Sequence, residues 1–219
     1  MKIDGAIFDM DGTLVDSLIV WDFMWSEMGR MYLGDESFRP SREADKAVRT
    51  MILSDAMEYI HKLYSLGESG KELFNTANDL IITFYKETVE LKKGALELLE
   101  YLYKKGVKMC IASATATDLI EIALEHCKIR KYFSNILSCS EIGKGKDSPD
   151  IYLKALECLA TAKESTWVFE DSFVALSTVS NIGLHTVGIY DKNNFDNDKS
   201  EKLADIYVAD GESLAKIIL

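Results

Sequence analysis

The spacing of hydrophobic residues changes twice along the chain and divides it into three parts. Residues 2–8 form a short apolar run, which is typical of a buried strand. From Ser17 to about residue 88, apolar residues recur every three or four positions, which predicts helices and no strand. After Gly94, apolar runs of strand length alternate with helical patterns, which predicts an α/β region.

The middle part predicts a small helical bundle. Its first helix carries an aromatic and methionine stripe that we expect to pack in a core: Trp21, Met24, Trp25, Met28, Met31 and Tyr32. One or two helices are expected over residues 41–66, and a long one from Lys71 to about Glu87, after a glycine-containing loop. We therefore expect residues 18–88 to be an all-helical cap domain inserted into the rest of the chain.

The last part predicts further strands over residues 107–112, 136–139, 167–169, 185–189 and 206–208. Alternating strands and helices imply a parallel sheet covered by helices on both faces. Residues 1–17 and 89–219 are thus expected to form one α/β core domain. Two helix starts have polar signatures: Asp118 with Glu121 fits a capping box, and Ser148-Pro149-Asp150 fits a serine cap followed by proline.

Polar residues follow three of the predicted strands where each strand ends. Asp9 and Asp11 follow the first, Ser113 ends the second, and Glu170-Asp171 ends a third. Two aspartates alone are more often an ordinary turn. Because ligands bind beyond the carboxyl ends of parallel strands, however, we expect these groups to meet at one place. That convergence favours a functional site over a solvated turn.

The residue types at this edge suit phosphoryl transfer. The Asp9 carboxylate can attack phosphorus, and Asp11 can protonate the leaving alcohol and later take a proton from water. The predicted Mg²⁺ site consists of Asp9, Asp11 through its backbone carbonyl, and Asp171, with Glu170 as ligand or close neighbour. Lys146, the Ser113 hydroxyl and the Ala114 amide are expected to bind the phosphoryl group. Taken singly, Lys146 as a solvated lysine, Ser113 as a strand terminus and Asp171 as a helix cap are equally good interpretations.

The amino-acid composition limits the classes of molecule that the protein is expected to bind. The 219 residues include 25 Lys and Arg against 36 Asp and Glu, a net charge of -11, which argues against nucleic acid or an anionic membrane as partner. A small phosphorylated metabolite remains compatible, because a lysine, a metal ion and backbone donors can bind phosphate locally. The four cysteines lack CxxC spacing, and no leader or membrane-length apolar run stands out, so we expect free thiols and a cytoplasmic protein. The sequence does not indicate an oligomeric state.

The motifs resemble, in order and approximate spacing, those of the haloacid dehalogenase superfamily: Asp9-Met10-Asp11-Gly12-Thr13, Ser113, Lys146 with Ser148-Pro149-Asp150, and Glu170-Asp171-Ser172. The resemblance covers the whole chain and is greatest to the β-phosphoglucomutase and phosphoglycolate phosphatase branch, which carries a helical cap after the first motif. It implies a Rossmann-like core, Mg²⁺, an aspartate nucleophile at Asp9 and an acid/base at Asp11. The acid at Asp11 resembles the phosphotransferases rather than the dehalogenases.

Four departures from the branch bear on function. Trp21 stands where the mutases have a cap histidine, and Ala77 where they have a phosphate-binding cap lysine. Asp147 replaces a usual proline after Lys146, and Ala175 replaces a glycine after the fourth motif. The first two favour a phosphatase over a mutase, and the last two affect local backbone more than chemistry.

We therefore expect a Mg²⁺-dependent phosphatase of a sugar phosphate or a phosphoglycolate-like compound, acting through an aspartyl phosphate. A hexose-phosphate mutase is the alternative, and a non-catalytic binding protein on the same fold is a third hypothesis. Trp21 and Arg49 are candidates to line a cap pocket, although a solvated helix face is the better interpretation of Arg49. The polar stretch from Asn193 to Lys199 predicts a surface loop.

Overall fold

A computed structural model describes residues 2–49 and 51–218, and the chain divides into two compact units. One unit combines the stretch up to Leu18 with the stretch from Val89 onward, and the other is Ile19–Thr88. The helices, in chain order, are α1 (Val20–Leu33), α2 (Arg42–Val48), α3 (Leu53–Tyr64), α4 (Gly70–Glu87), α5 (Ala95–Lys104), α6 (Thr117–His126), α7 (Cys139–Ile142), α8 (Asp150–Leu159), α9 (Phe173–Asn181) and α10 (Asn197–Leu203). Among the described residues, no helix is long and apolar enough to cross a membrane.

The first unit contains a parallel sheet. Its strands are β1 (Gly5–Phe8), β2 (Lys108–Ser113), β3 (Asn135–Ser138), β4 (Thr166–Glu170), β5 (His185–Ile189) and β6 (Ile206–Val208). They lie in the order β3-β2-β1-β4-β5-β6, and every neighbouring pair is parallel. The predicted α/β class with a parallel sheet is confirmed.

Strand β1 lies inside the sheet, between β2 and β4. Phe8 is level with Ile111 on one side and with Phe169 on the other, and its ring stacks on that of Phe169 at 4.2 Å. All four residues of β1 are buried, as expected for a parallel strand covered on both faces. This register brings the residues that follow β1 beside the end of β4.

Helices cover the sheet through apolar faces. Helix α5 buries Ala95, Leu98, Leu99 and Leu102, and the chain turns after it at Gly106 with a φ of 75°. Helix α8 buries Ile151, Tyr152, Ala155 and Leu159 in one cluster with residues of the sheet. The core of this unit therefore lies directly beneath the strands whose ends carry the predicted acids.

The helical unit has its own core. Met24, Trp25 and Met28 of α1 pack in one cluster with residues of α3 and α4. The expectation that Met31 joins this core is wrong, because its side chain is 51% exposed. Met31 lies in the last turn of α1, at the edge of the buried face.

Both predicted helix starts differ in detail from the structure. Helix α6 begins at Thr117 without a side-chain cap, so Asp118 lies in its first turn, and Glu121 pairs instead with Arg130 at 2.6 Å. Pro149 occupies the cap position of α8 rather than its first helical position, and the Ser148 hydroxyl donates to the Asp150 carboxylate. In both cases the side chain that was expected to form a capping hydrogen bond contacts another side chain instead.

Candidate active site

Three acidic side chains meet at the carboxyl ends of β1 and β4. Asp9 follows β1, Glu170 is the last residue of β4, and Asp171 comes next. The Asp9 amide donates to the Phe169 carbonyl at 2.9 Å, which fixes the two strand ends side by side. Each acid offers one carboxylate oxygen within 4.8 Å of those of the other two, and all three residues are buried. We call Asp9, Glu170 and Asp171 the acidic cluster.

Lys146 is bound into this cluster. Its Nζ lies 2.5 Å from Asp9 Oδ1 and 2.8 Å from Glu170 Oε1, and its side chain is 12% exposed. Burial alone would lower the pKa of Lys146, but the Asp9 and Glu170 carboxylates outweigh burial and raise it well above its usual value. Lys146 is therefore a buried cation and not a solvated loop lysine.

The acidic cluster sets three carboxyl groups against the ammonium group of Lys146. Burial, and then the Asp9 carboxylate, raise the pKa of Glu170 well above its ordinary value and that of Asp171 to about 7. The Glu170 Oε2 atom is buried without a hydrogen-bond partner among the described residues. A buried polar atom of this kind normally has a partner, which can be an ion.

The donor set fits a divalent cation. All three residues present carboxylate oxygens, which are the ligands that Mg²⁺ prefers, and a cation would relieve the excess negative charge. The Glu170 oxygen that has no hydrogen-bond partner also favours a bound cation at this place. Asp9, Glu170 and Asp171 are therefore the residues that could hold a metal ion.

Gly12 and Thr13 support the cluster from the loop after β1. Gly12 has a φ of 77°, and a Cβ added there would overlap the Asp171 carboxylate, so this position needs glycine for its conformation and for space. The Thr13 hydroxyl is fully buried and donates to Asp171 Oδ1 at 3.3 Å and to Asp9 Oδ2 at 3.4 Å. The turn residues of the first motif thus pack directly against the acids.

Asp11 has different surroundings from Asp9. The Ser17 hydroxyl donates to Asp11 Oδ1 at 2.6 Å, and the Thr115 hydroxyl donates to Asp11 Oδ2 at 2.6 Å. The Asp11 carboxylate is not one of the three that lie within reach of a shared ion. The two aspartates, which alternate along one extended segment, are therefore held in separate environments.

The loop after β2 is rich in hydroxyl groups. Ser113 ends β2 in a buried position, and its Oγ accepts from the Thr115 amide at 3.1 Å. Ala114 lies exposed at the bend that follows. Ser138, at the end of the neighbouring strand β3, donates to the Thr115 carbonyl at 2.7 Å. The predicted phosphate-binding residues Ser113 and Ala114 thus lie at the same sheet edge as the acidic cluster, because β2 pairs with β1.

Trp21 and Arg49, the candidates for a cap pocket, lie in the helical unit. The Arg49 guanidinium is 5.6 Å from the centre of the Trp21 ring, and its Nε donates to Asp45 Oδ2 at 2.9 Å. Asp45 Oδ1 accepts from the Trp25 indole at 2.9 Å. Arg49 is 19% exposed in its side chain and is therefore not a solvated helix residue. Ala77 is fully buried in the helical core.

The structure adds four residues to which the sequence analysis gave no role of their own, namely Thr13, Ser17, Thr115 and Asn194. The Asn194 side-chain amide donates to Asp171 Oδ2 at 2.5 Å and to the Asp171 carbonyl at 3.2 Å. Asn194 lies in the polar stretch that we expected to be a surface loop. The available signal was its position shortly after β5, whose carboxyl end lies on the same sheet edge as that of β4.

A comparison with protein-family models matches residues 3–183 to the model described as haloacid dehalogenase-like hydrolase. Among known proteins, the chain is 26% identical over 194 residues to the phosphorylated carbohydrates phosphatase of Thermotoga maritima, an alignment that covers 84% of each chain. It is 24% identical over 193 residues to the pyrophosphatase PpaX of Bacillus mycoides, which covers 86% of this chain and 84% of that protein.

Solved structures share the fold. The CbbY variant of Rhodobacter sphaeroides in complex with xylulose-(1,5)bisphosphate superimposes with a TM-score of 0.73 at 20% identity, over 94% of this chain and 93% of that one. The β-phosphoglucomutase of Clostridium difficile superimposes with a TM-score of 0.68 at 19% identity, over 94% and 91% of the two chains. At these sequence identities, the structural similarity shows that the fold is shared and shows nothing about activity.

Proposed function

The chain belongs to the haloacid dehalogenase-like hydrolase family, and from this membership we propose that it is a Mg²⁺-dependent phosphatase of small phosphorylated metabolites. One observation supports the proposal above all. Asp9 lies in a buried ionic cluster with Lys146, Glu170 and Asp171, whereas Asp11 is held apart by two hydroxyl groups. Phosphoryl transfer through an aspartate needs this division between a nucleophile and an acid.

In the first step, a carboxylate oxygen of Asp9 attacks the phosphorus atom and the bond from phosphorus to the leaving oxygen breaks. Asp11 gives its proton to that oxygen, so that an alcohol leaves and an aspartyl phosphate remains. In the second step, Asp11 takes a proton from a water molecule that attacks phosphorus, and the bond to Asp9 breaks. Inorganic phosphate leaves, and both aspartates return to their starting states.

Two hydroxyl groups hold the Asp11 side chain in place. The Ser17 and Thr115 hydroxyls each donate to one of its carboxyl oxygens at 2.6 Å. These bonds fix the direction of the side chain, which lies outside the acidic cluster. Thr115 follows Ser113 and Ala114, which links the acid to the loop proposed to bind phosphate.

Lys146 would stabilise the charge that develops on the transferred phosphoryl group. Its Nζ is already placed beside Asp9 Oδ1, so no reorganisation is needed when charge develops there. The Ser113 hydroxyl and the Ala114 amide are proposed as further donors. Asp9, Glu170, Asp171 and the Asp11 carbonyl would hold Mg²⁺, which when bound supplies neutralisation of the phosphate oxygens.

The names of the relatives support the substrate class. One is a phosphatase of phosphorylated carbohydrates, one a pyrophosphatase, and one structural neighbour binds a sugar bisphosphate. We therefore propose sugar phosphates and small phosphorylated acids as substrates, with pyrophosphate included in the test. The acidic balance of the chain, -11 overall, argues against nucleic acid as substrate.

A hexose-phosphate mutase is the alternative, since a β-phosphoglucomutase is among the structural neighbours. The test presents β-glucose 1-phosphate, sugar phosphates, phosphoglycolate and pyrophosphate to the protein with Mg²⁺ and measures both inorganic phosphate and sugar isomers. Release of inorganic phosphate without an isomer supports the phosphatase. Formation of glucose 6-phosphate instead would establish the mutase, and no turnover of any compound would refute both.

A further inference from the structure

The stretch that follows β5 folds back on itself through polar contacts. Asp191 Oδ1 accepts from the Asn193 amide at 2.8 Å and from the Asn193 side chain at 3.1 Å. The Asn197 side chain donates to the carbonyls of Asp191 and Asn194 at 2.8 and 2.9 Å. We call residues 191–197 the asparagine loop.

A buried ion pair anchors the start of the asparagine loop. Asp191 is 2% exposed, and its Oδ2 lies 2.7 Å from Lys92 Nζ, which also donates to the Tyr190 carbonyl at 2.9 Å. Lys92 is itself fixed, because its amide donates to the Leu14 carbonyl at 2.9 Å. An ion pair this well buried and hydrogen-bonded holds its neighbours in one arrangement more firmly than an exposed pair does.

The asparagine loop carries a side chain to the acidic cluster. Asn194 Nδ2 donates to Asp171 Oδ2, while Thr13 donates to Asp171 Oδ1. Asn194 therefore makes the shorter contact to Asp171, the Thr13 hydroxyl is shared with Asp9, and Gly12 closes the space beside the carboxylate. Together these contacts restrict rotation of the carboxylate group, which is already buried.

We propose that Asn194 is a positioning residue of the metal site, which acts by fixing the Asp171 carboxylate for the cation. This inference rests on the proposed function, because it assumes that Asp171 binds Mg²⁺. The asparagine donates a hydrogen bond to a ligand and supplies no charge, so its removal leaves the ligand present but less firmly oriented. Partners of this kind tune metal affinity by orienting the ligand.

The test measures Mg²⁺ binding to the full chain by isothermal titration calorimetry. Asn194→Leu keeps the approximate size of the side chain and removes the donor, and Asn194→Ala serves if the leucine lowers the melting temperature. Asn181→Ala, at the exposed end of α9, is the matched control. We expect about a 10-fold or greater rise in the Mg²⁺ dissociation constant for the Asn194 variants, and no change for the control.

A kinetic measurement separates positioning from a loss of structure. In the Asn194 variants, the Mg²⁺ concentration for half-maximal phosphatase activity should rise with the dissociation constant, while kcat at saturating Mg²⁺ stays near that of the wild type. Unchanged Mg²⁺ affinity in both Asn194 variants, or a kcat that excess Mg²⁺ does not restore, would overturn the inference. If the wild type itself binds no Mg²⁺, the proposed metal dependence fails and this inference fails with it.

Discussion

Replacement of Lys146 by methionine should destabilise the protein because it leaves buried carboxylates without their lysine. In the structure, Nζ is 2.5 Å from Asp9 and 2.8 Å from Glu170, and its side chain is 12% exposed. Methionine fills a similar volume, so the loss is of charge rather than of packing. Breaking a buried ion pair by removing one partner costs about 3–5 kcal/mol of folding free energy.

The control is Lys144→Met, two residues earlier in the same loop. Lys144 pairs with Asp150 at 3.0 Å, but the two side chains are 58% and 39% exposed, so water screens the pair. Exposed pairs contribute about 0–1 kcal/mol. The two substitutions are chemically identical and differ in burial, which makes their difference informative.

Thermal unfolding without metal is the assay. At about 2–4 °C per kcal/mol for a chain of this size, Lys146→Met should melt about 6–20 °C below the wild type, and Lys144→Met within about 4 °C of it. Mg²⁺ should raise the melting temperature of Lys146→Met by more than that of the wild type, since a bound cation would replace part of the lost charge. Equal melting temperatures for the two methionine variants would refute the conclusion that Lys146 balances the acidic cluster.

Three further predictions follow from neighbouring contacts. Gly12→Ala should weaken Mg²⁺ binding and lower the melting temperature, because the added Cβ would overlap the Asp171 carboxylate. The control is Gly34→Ala, at a similar φ of 67° with nothing within 4 Å of the added Cβ, which should show backbone strain alone. Equal effects of the two substitutions in calorimetry and thermal unfolding would contradict this prediction. Lys92→Gln should lower the melting temperature, because it leaves the buried Asp191 carboxylate without its cation. Lys93→Gln should change the melting temperature little, because the exposed Lys93 amine only donates to the Gly211 carbonyl. A larger effect of Lys93→Gln would contradict the role of the buried pair. Removal of divalent metal by EDTA should abolish phosphate release and Mg²⁺ should restore it; activity that survives exhaustive chelation would exclude the metal site.

The sequence predicted the sheet well because a parallel strand buried on both faces leaves a continuous apolar run. β5 and β6 were placed at their observed bounds, and β1 was predicted three residues too long at its start. Helix ends were predicted less well. Glu121 pairs with Arg130, nine residues away, and such a tertiary partner is invisible to a rule that considers four neighbouring residues.

The acids of the candidate site could be predicted because each lies at the end of a strand or just after it, and topology brings strand ends together. Asn194 could not, because a loop rich in Asp and Asn has the same composition whether it faces water or another loop. Its contact with Asp171 depends on how the asparagine loop folds back, and the first residue of that loop, Asp191, pairs with the distant Lys92. Met31 could not be predicted correctly for a different reason. An apolar stripe shows which face of a helix is buried, but it does not show where along its length the helix leaves the core.

The most direct test of the proposed mechanism is whether a phosphoryl group becomes attached to Asp9. The wild type and Asp9→Asn are mixed with a radiolabelled phosphate ester and Mg²⁺, quenched in acid within one turnover, and examined for protein-bound label. We expect the wild type to carry a label that is stable to acid and released by hydroxylamine, as for an acyl phosphate, and Asp9→Asn to carry none and release no phosphate. Sustained Mg²⁺-dependent phosphate release by Asp9→Asn would contradict the assignment of Asp9 as the nucleophile.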